Sequence, residues 1–308
     1  MRKRRRFEIT YSVVIPEPPK DAQKLEVWAP FPRGTPHQEV HGIEVKTSMD
    51  YQVQYDPVFG NAILCATANG GSQRVLELSI RAQATRCERS VKASHFKWSP
   101  APVSNGSSPF LAQLGENRLI RFSPDILDIA ERIKNVAKNP LDIGRAAYDH
   151  VLENMAYDKT ANGWGHGDAQ FACAIGKGNC TDFHSLFLAI IRACDVPGQF
   201  EIGIAFPTAV AEGDISAYKC GYHCWASFYV PALGWVPVDC SEAVQKSALR
   251  EYYFSNLDEN RFLLSYGRDI ELPGRKGRVP VNFFTEPVIE TQEGVRVSYE
   301  KTLTFRNL

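Results

Sequence analysis

The sequence predicts an α+β protein: an antiparallel β-sandwich at the N-terminus, then a second domain in which a helix packs on an antiparallel sheet. Three observations predict it. Residues 7–90 alternate apolar and polar side chains between turn signals, with no helical period. Residues 120–192 carry amphipathic helical patterns. Residues 199–238 return to short strand-like runs. A stretch of strands, then helices, then strands again is read as α+β.

Each element has a local reason. Residues 7–15, 25–29, 51–55 and 75–80 have the period of two that puts one strand face inward. Pro-Glu-Pro-Pro at 16–19, Phe-Gly-Asn at 59–61 and Asn-Gly-Gly at 69–71 supply the turns between them. Short strands of this kind, without helices, suggest a sandwich. Residues 99–109, Ser-Pro-Ala-Pro-Val-Ser-Asn-Gly-Ser-Ser-Pro, have linker composition. The expected organisation is therefore a sandwich domain over 1–98, a linker over 99–119 and a second domain over 120–308 that includes a C-terminal tail.

In that second domain Ser123-Pro124 reads as an N-cap followed by Pro at the first helical position. Ile126, Ile129, Ala130, Ile133, Val136 and Ala137 then fall on one helix face, and Asn139-Pro140 ends the run. A second helix is expected over 141–154 and a loop over 157–176. A third helix is expected over 180–192, with Phe183, Leu186, Phe187, Ile190 and Ile191 inward. Strands are expected over 199–206, 223–230 and 234–238. The remainder reads as a mixed tail.

Bulk properties exclude some classes of function. The chain has 308 residues, long enough for two domains, and 44% hydrophobic against 23% charged residues is ordinary for a globular protein. Lys+Arg and Asp+Glu are 35 each, so no global field attracts nucleic acid or an anionic membrane, and neither is expected as a partner. No apolar run approaches the roughly 18 residues of a membrane helix. The basic start Met-Arg-Lys-Arg-Arg-Arg is followed by a strand pattern and not by an apolar signal core. A cytoplasmic location is expected as the sequence stands, and a periplasmic or secreted one if a leader has been removed. The eight cysteines include no Cys-x-x-Cys pair and form no disulfide framework. Several are expected to be small buried hydrophobes.

The chemistry concentrates between Gly176 and Asp239. Cys180 follows Gly176-Lys177-Gly178-Asn179 and opens a helix. A helix N-terminus offers unpaired N–H groups and a partial positive charge. These lower a thiol pKa and can face an oxyanion. His223 opens a strand, and Asp239 closes the next one after a hairpin-like connection. A base beside the thiol and a carboxylate beside the base are the parts of nucleophilic acyl transfer. Trp225 and Trp235 are expected as core aromatics. His184, one helical turn after Cys180, is within reach of the thiol but is expected as a packing or helix-surface residue. A zinc site from Cys220, His223, Cys224 and Cys240 is disfavoured, because neighbouring strand residues point to opposite faces. No metal or other cofactor is expected.

These residues resemble the transglutaminase-like superfamily, a branch of the papain-like cysteine enzymes. The resemblance rests on Gly178-Asn179-Cys180-Thr181-Asp182, Leu186-Phe187, His223-Cys224-Trp225 and Gly234-Trp235-Val236-Pro237-Val238-Asp239. It extends over residues 120–290. It implies a papain-like core with Cys180 as nucleophile, His223 as base and acid, and Asp239 as orienter. It implies a peptide or protein substrate, with hydrolysis of a peptide or side-chain amide favoured over cross-linking. Trp164, Gln170, Asn179 and Trp225 are the candidates for oxyanion or substrate contacts. Where the family usually has Pro after the aspartate, this chain has Cys240, and no calcium site is recognisable. The alternative is a catalytically silent binding or scaffold module on the same fold.

Overall fold

The alternation at the N-terminus is realised as strands. The structure is a computed structural model that describes residues 2–69, 75–92, 110–207, 222–231 and 233–308, and the backbone of 215–218. β1 (Arg4–Ile15) is followed by β2 (Lys24–Pro30), β3 (Gln38–Thr47), β4 (Asp50–Tyr55), β5 (Ala62–Asn69) and β6 (Leu76–Cys87). Phe7, Ile9, Tyr11, Val13 and Ile15 of β1 are buried, and so are Leu76, Leu78, Ile80, Ala82 and Ala84 of β6. The two strands pair antiparallel, with Arg4 opposite Cys87 and Ile15 opposite Leu76. Because side chains alternate between faces, that register puts both apolar rows on one side. The basic run Arg4-Arg5-Arg6 forms the start of β1. There the Arg5 guanidinium donates to the side chains of Asn260 and Asn307 at 2.8 and 2.9 Å.

The helical stretch follows with its caps. After β7 (Arg89–Ser90) come α1 (Leu111–Leu114), α2 (Pro124–Val136) and α3 (Pro140–Asn154). Ser123 caps α2 and Asn139 caps α3, where Asn139 Oδ1 accepts from the amides of Leu141 and Asp142 at 3.0 Å. Asn139-Pro140 therefore starts α3 as well as ending the preceding helix. β8 (Ala156–Tyr157), α4 (Ala169–Ile175) and β9 (Lys177–Gly178) occupy the segment expected to be a loop. Asp168 caps α4 and left-handed Gly176 (φ 63°) ends it. Seven residues among glycines and aromatics are too few to display a helical period.

α5 (Cys180–Ala193) is buried at every position from Cys180 to Arg192. It leads into β10 (Gly198–Ala205), β11 (Ile215–Tyr218), β12 (His223–Val230), β13 (Gly234–Val238) and α6 (Cys240–Gln245). β14 (Asn256–Leu257), β15 (Arg261–Tyr266), β16 (Val288–Thr291) and β17 (Glu300–Asn307) complete the chain. Among the described residues no helix is long and apolar enough to cross a membrane.

The chain divides into two units. The first comprises Met1–Cys87, Ile202–Tyr222 and Glu259–Leu308. It contains a five-stranded sheet in the order β11-β17-β1-β6-β3 and a four-stranded sheet in the order β16-β2-β5-β4. Phe7, Ile9, Val27, Leu64, Ile80 and Phe305 share one core between the sheets, as a sandwich requires. Residues 259–308, read from the sequence as a tail of the second domain, fall in this unit. β17 pairs with β1 (Asn307 opposite Phe7), and β16 pairs with β2 (Val288 opposite Trp28).

The second unit comprises Glu88–Glu201 and His223–Asp258. α5 is its central helix, with α2, α3, α4, α6 and β12 packed around it. Of the expected linker, residues 99–109 lie outside the described residues. Residues 110–119 join this unit, where the Gln113 amide donates to Gln199 Oε1 at 3.0 Å and the Leu119 carbonyl accepts from the Ala169 amide.

Close approach of α3 to β12 depends on Gly144. A Cβ built there would lie 2.3 Å from Phe228 Cζ. Gly144→Ala is expected to destabilise by about 1–3 kcal/mol, because the overpacking exceeds the gain of roughly 0.5–1 kcal/mol in helix propensity. Urea unfolding of the two proteins checks the sign.

Candidate active site

Cys180 is the first residue of α5, and its approach is tightly specified. The Asn179 side chain accepts from the Thr181 amide at 2.9 Å, while the Asp182 carboxylate reaches back to the Asn179 amide at 2.9 Å. This reciprocal cap fixes the helix start. Asp182 also accepts from the amides of Gly165 and Gly167 at 2.7 and 2.9 Å, which ties the 163–167 loop to the same point. Gly178 makes room for that carboxylate. A Cβ there would fall 2.4 Å from Asp182 Oδ2.

β12 and β13 supply the other two residues. They pair antiparallel with Ala226 opposite Val238 and Val230 opposite Gly234. One step further along, Asp239 stands beside Trp225, and His223 lies two residues on along the same face, the diagonal position of a sheet pair. The His223 ring donates from Nε2 to Asp239 Oδ2 at 2.7 Å and meets the Cys180 thiol on its other side. The ring is 12% exposed and the carboxylate is fully buried. Asp239 Oδ1 is occupied separately, by the Ser241 hydroxyl at 3.0 Å and by the Glu242 amide at 2.9 Å as the N-cap of α6. Both carboxylate oxygens are thus held, and the carboxylate faces the imidazole as an acceptor.

The electrostatics follow from these contacts. Burial alone would lower the His223 pKa. The charge and hydrogen bond of Asp239, then the Cys180 thiolate, outweigh it and push His223 up to about 10. Cys180 moves the other way, well below the ordinary thiol range. A hydrogen bond from the Cys224 thiol is the first cause. His223 and the Cys224 amide add to it, against the burial that opposes ionisation. These opposed shifts both favour the thiolate–imidazolium form of the pair over the neutral one. Cys224 faces α5, with its sulfur 3.5 Å from His184 Nδ1 and 4.0 Å from Thr181 Oγ1.

Residues 127–240, which span this whole arrangement, match the family model described as Transglutaminase-like superfamily. That segment is similar to a transglutaminase-like core.

Two relatives extend across the chain. An uncharacterized protein of Haemophilus influenzae (strain Rd) is 28% identical over 315 residues, covering 92% of this chain and 85% of that protein. The crystal structure of a candidate cysteine protease from Cytophaga hutchinsonii superposes with a TM-score of 0.63 at 14% identity, over 99% of this chain and 100% of that one, and so shares the fold. The periplasmic domain of TgpA from Pseudomonas aeruginosa, bound to ethylmercury, aligns with a TM-score of 0.39 at 14% identity, over 80% of this chain and 92% of that one.

Within the transglutaminase-like core, the four residues considered for oxyanion or substrate contacts separate. Trp225 is fully buried and its indole N–H donates to Glu201 Oε2 at 2.8 Å, so it faces the core and not a substrate. Asn179 is 5% exposed and serves as the helix cap. Trp164 is 38% exposed on the 163–167 loop, with the Lys159 ammonium 5.7 Å from its ring centroid. Gln170 is exposed on the first turn of α4. Of the residues weighed as zinc ligands, Cys220 lies outside the described residues, and the His223 ring is engaged with Asp239 and Cys180.

Sequence reasoning missed Tyr157 at this site and named His184 without a role in it. Tyr157 sits in β8 beside Gly178 of β9, half-buried, and its hydroxyl is pushed up by burial and then by the charges of Cys180, Cys224 and Asp239. Its strand partner Gly178 lies two residues before Cys180. The available signal for Tyr157 was its place at the end of the helical lead-in, just before Asp158. His184, expected to pack or lie on the surface, is completely buried and bonded on both ring nitrogens.

Beneath the sheet Glu201 holds a buried network. It accepts from Arg89 Nη1 at 2.9 Å, from Trp225 and from the Ser227 hydroxyl. Arg89 also donates to the Trp235 carbonyl at 2.8 Å. Nothing in the sequence pairs residues 89 and 201.

Proposed function

We propose that this chain is a thiol enzyme that cleaves a peptide or side-chain amide through an acyl-Cys180 intermediate. The observation that carries the reading is the contact chain Cys180–His223–Asp239, with the thiol pKa lowered and the imidazole pKa raised. In the forward step the Cys180 thiolate attacks the carbonyl carbon and the carbonyl oxygen becomes an oxyanion. We assign that oxyanion to the Cys180 amide at the start of α5 and to the Tyr157 hydroxyl. His223, already protonated, gives its proton to the leaving amine, and the thioester forms. Water then attacks the thioester with His223 as base, releasing the acid and regenerating the thiolate–imidazolium pair. Asp239 holds the ring by its Nε2–H throughout, so the nitrogen facing sulfur is the one that exchanges protons. The expected substrate is a peptide or protein. Hydrolysis is favoured over cross-linking because water needs no second binding site.

The pH dependence of Cys180 alkylation tests this pair without knowledge of the substrate. The rate should rise at a pH below the ordinary thiol value of about 8.5 and stay level across neutrality. It should change again near pH 10, where His223 loses its proton. In His223→Ala the first rise should move back toward the ordinary thiol value. Peptide mass spectrometry with iodoacetamide reads the site of labelling. If wild-type Cys180 labels like an ordinary thiol and His223→Ala changes nothing, the catalytic reading fails and a binding module on this fold becomes the better one.

A further inference from the structure

We infer that His184 is a positioning residue for this site: a second, non-reacting imidazole that braces the same two helix ends as His223. The inference rests on the catalytic reading above and extends it to a residue that the motif does not include.

Cys180 begins α5 and Asp239 caps α6, so the separation of nucleophile and orienter is the separation of two helix starts. His223 spans the gap through side chains, from the Cys180 sulfur to Asp239 Oδ2. His184 spans it through the backbone. Its Nδ1 lies 2.7 Å from the Cys180 carbonyl, and its Nε2 lies 3.1 Å from the Cys240 amide. A carbonyl only accepts and an amide N–H only donates. The ring is therefore the neutral tautomer, with Nδ1–H donating to Cys180 and Nε2 accepting from Cys240. The Cys240 amide is a first-turn donor of α6, without a carbonyl partner in its own helix. Linked this way, the first carbonyl of α5 and the first amide of α6 are held one imidazole apart.

The surroundings keep this ring neutral. It is fully buried, and burial lowers its pKa. Asp239 Oδ1, 3.6 Å from Nε2, and Cys180 on its own helix act in the opposite direction, while His223 on β12 adds to the lowering. Cys224 of β12 lies at 3.5 Å, and Cys240 of α6 and Tyr148 of α3 are also buried and uncharged, held there by burial. Protonation would turn Nε2–H toward the Cys240 N–H and break the brace from that side.

The role is distinguishable from simple packing. Three variants and one thiol control are compared with wild type by the pH dependence of Cys180 alkylation with iodoacetamide, with thermal unfolding as a control for folding. His184→Ala removes both bonds. His184→Gln keeps one donor and one acceptor. Cys240→Pro removes the amide from which His184 accepts while keeping the imidazole, at a first helical position where Pro is tolerated, and Cys240→Ala controls for the loss of the buried thiol. The expected result is a loss of about tenfold in labelling rate near neutral pH for His184→Ala and Cys240→Pro, with substantial recovery in His184→Gln. Wild-type labelling in a folded His184→Ala overturns the inference. If His184→Ala does not fold, wild-type labelling in Cys240→Pro overturns it. Ordinary thiol behaviour in wild type, unchanged by His223→Ala, overturns the catalytic reading and this inference with it, and is recognised separately because His223→Ala is silent there.

Discussion

Cys180→Ala is expected to remove turnover while leaving the protein folded. The two halves of that statement have different causes. Turnover needs a thiolate to form the acyl bond, and Cys180 is the group placed against His223 to supply it. The neighbouring Cys224 thiol is buried, and its pKa is pushed well up by burial and by its hydrogen bond with Cys180. Loss of a nucleophile in comparable triads costs on the order of 10⁴-fold or more. The fold survives because the helix start is held by Asn179 and Asp182, neither of which is altered. Only a small side chain is trimmed. A tryptic peptide mixture is the substrate, and mass spectrometry for new termini and for side-chain deamidation is the readout. Turnover retained in Cys180→Ala would sink the mechanism. A large drop in melting temperature would show that the thiol matters to the fold.

Glu201→Ala is expected to be among the most destabilising single changes in the chain, by about 3–5 kcal/mol. Glu201 is 3% exposed and Arg89 is 7% exposed. Removing the carboxylate leaves the guanidinium buried without its counter-charge, and the Trp225 indole and Ser227 hydroxyl lose their acceptor. Burial would raise the Glu201 pKa, but Arg89 and the three hydrogen bonds prevail and hold it below the usual carboxylate value. A depressed carboxylate pKa stabilises the fold above the unfolded-state value. That contribution is lost as pH falls through the folded-state value. The wild type should thus lose stability on acidification below the ordinary Glu range, and Glu201→Ala should lack that component. Denaturant unfolding at several pH values measures both effects. The double replacement Arg89→Met with Glu201→Leu should cost less than Glu201→Ala, since it leaves no unpaired charge. If Glu201→Ala is within 1 kcal/mol of wild type, the network contributes specificity and little stability.

β12 connects the buried network to the nucleophile's base. Trp225, two residues from His223 on β12, is held by Glu201, and its ring centroid lies 6.1 Å from that of His223. Glu201→Ala should therefore weaken Cys180 labelling as well as stability.

Much of this arrangement is legible in the chain. Strand alternation marks β1 and β6 because each buries one face. The caps Ser123 and Asn139 mark α2 and α3 because a helix start needs acceptors for its free amides. The Gly-rich approach to Cys180 marks a helix start. The spacing of His223 and Asp239 across a hairpin places them within reach, because hairpin geometry is local. What is not legible has a common cause. β16 and β17 pair with β2 and β1 across nearly the whole chain, and no local pattern encodes so distant a partner. α4 is too short to show its period.

The sequence by itself determined the residue types of the site, the helix start that carries Cys180 and the hairpin that carries His223 and Asp239. All of these depend on neighbours within a few turns or one hairpin. Only the tertiary structure decided that Trp225 is committed to Glu201, that Tyr157 pairs with Gly178 through β8 and β9, and that His184 joins the starts of α5 and α6. Each of those is a hydrogen bond or close approach between elements far apart in the chain. Its existence depends on packing distances of a few ångströms, which composition and spacing do not carry.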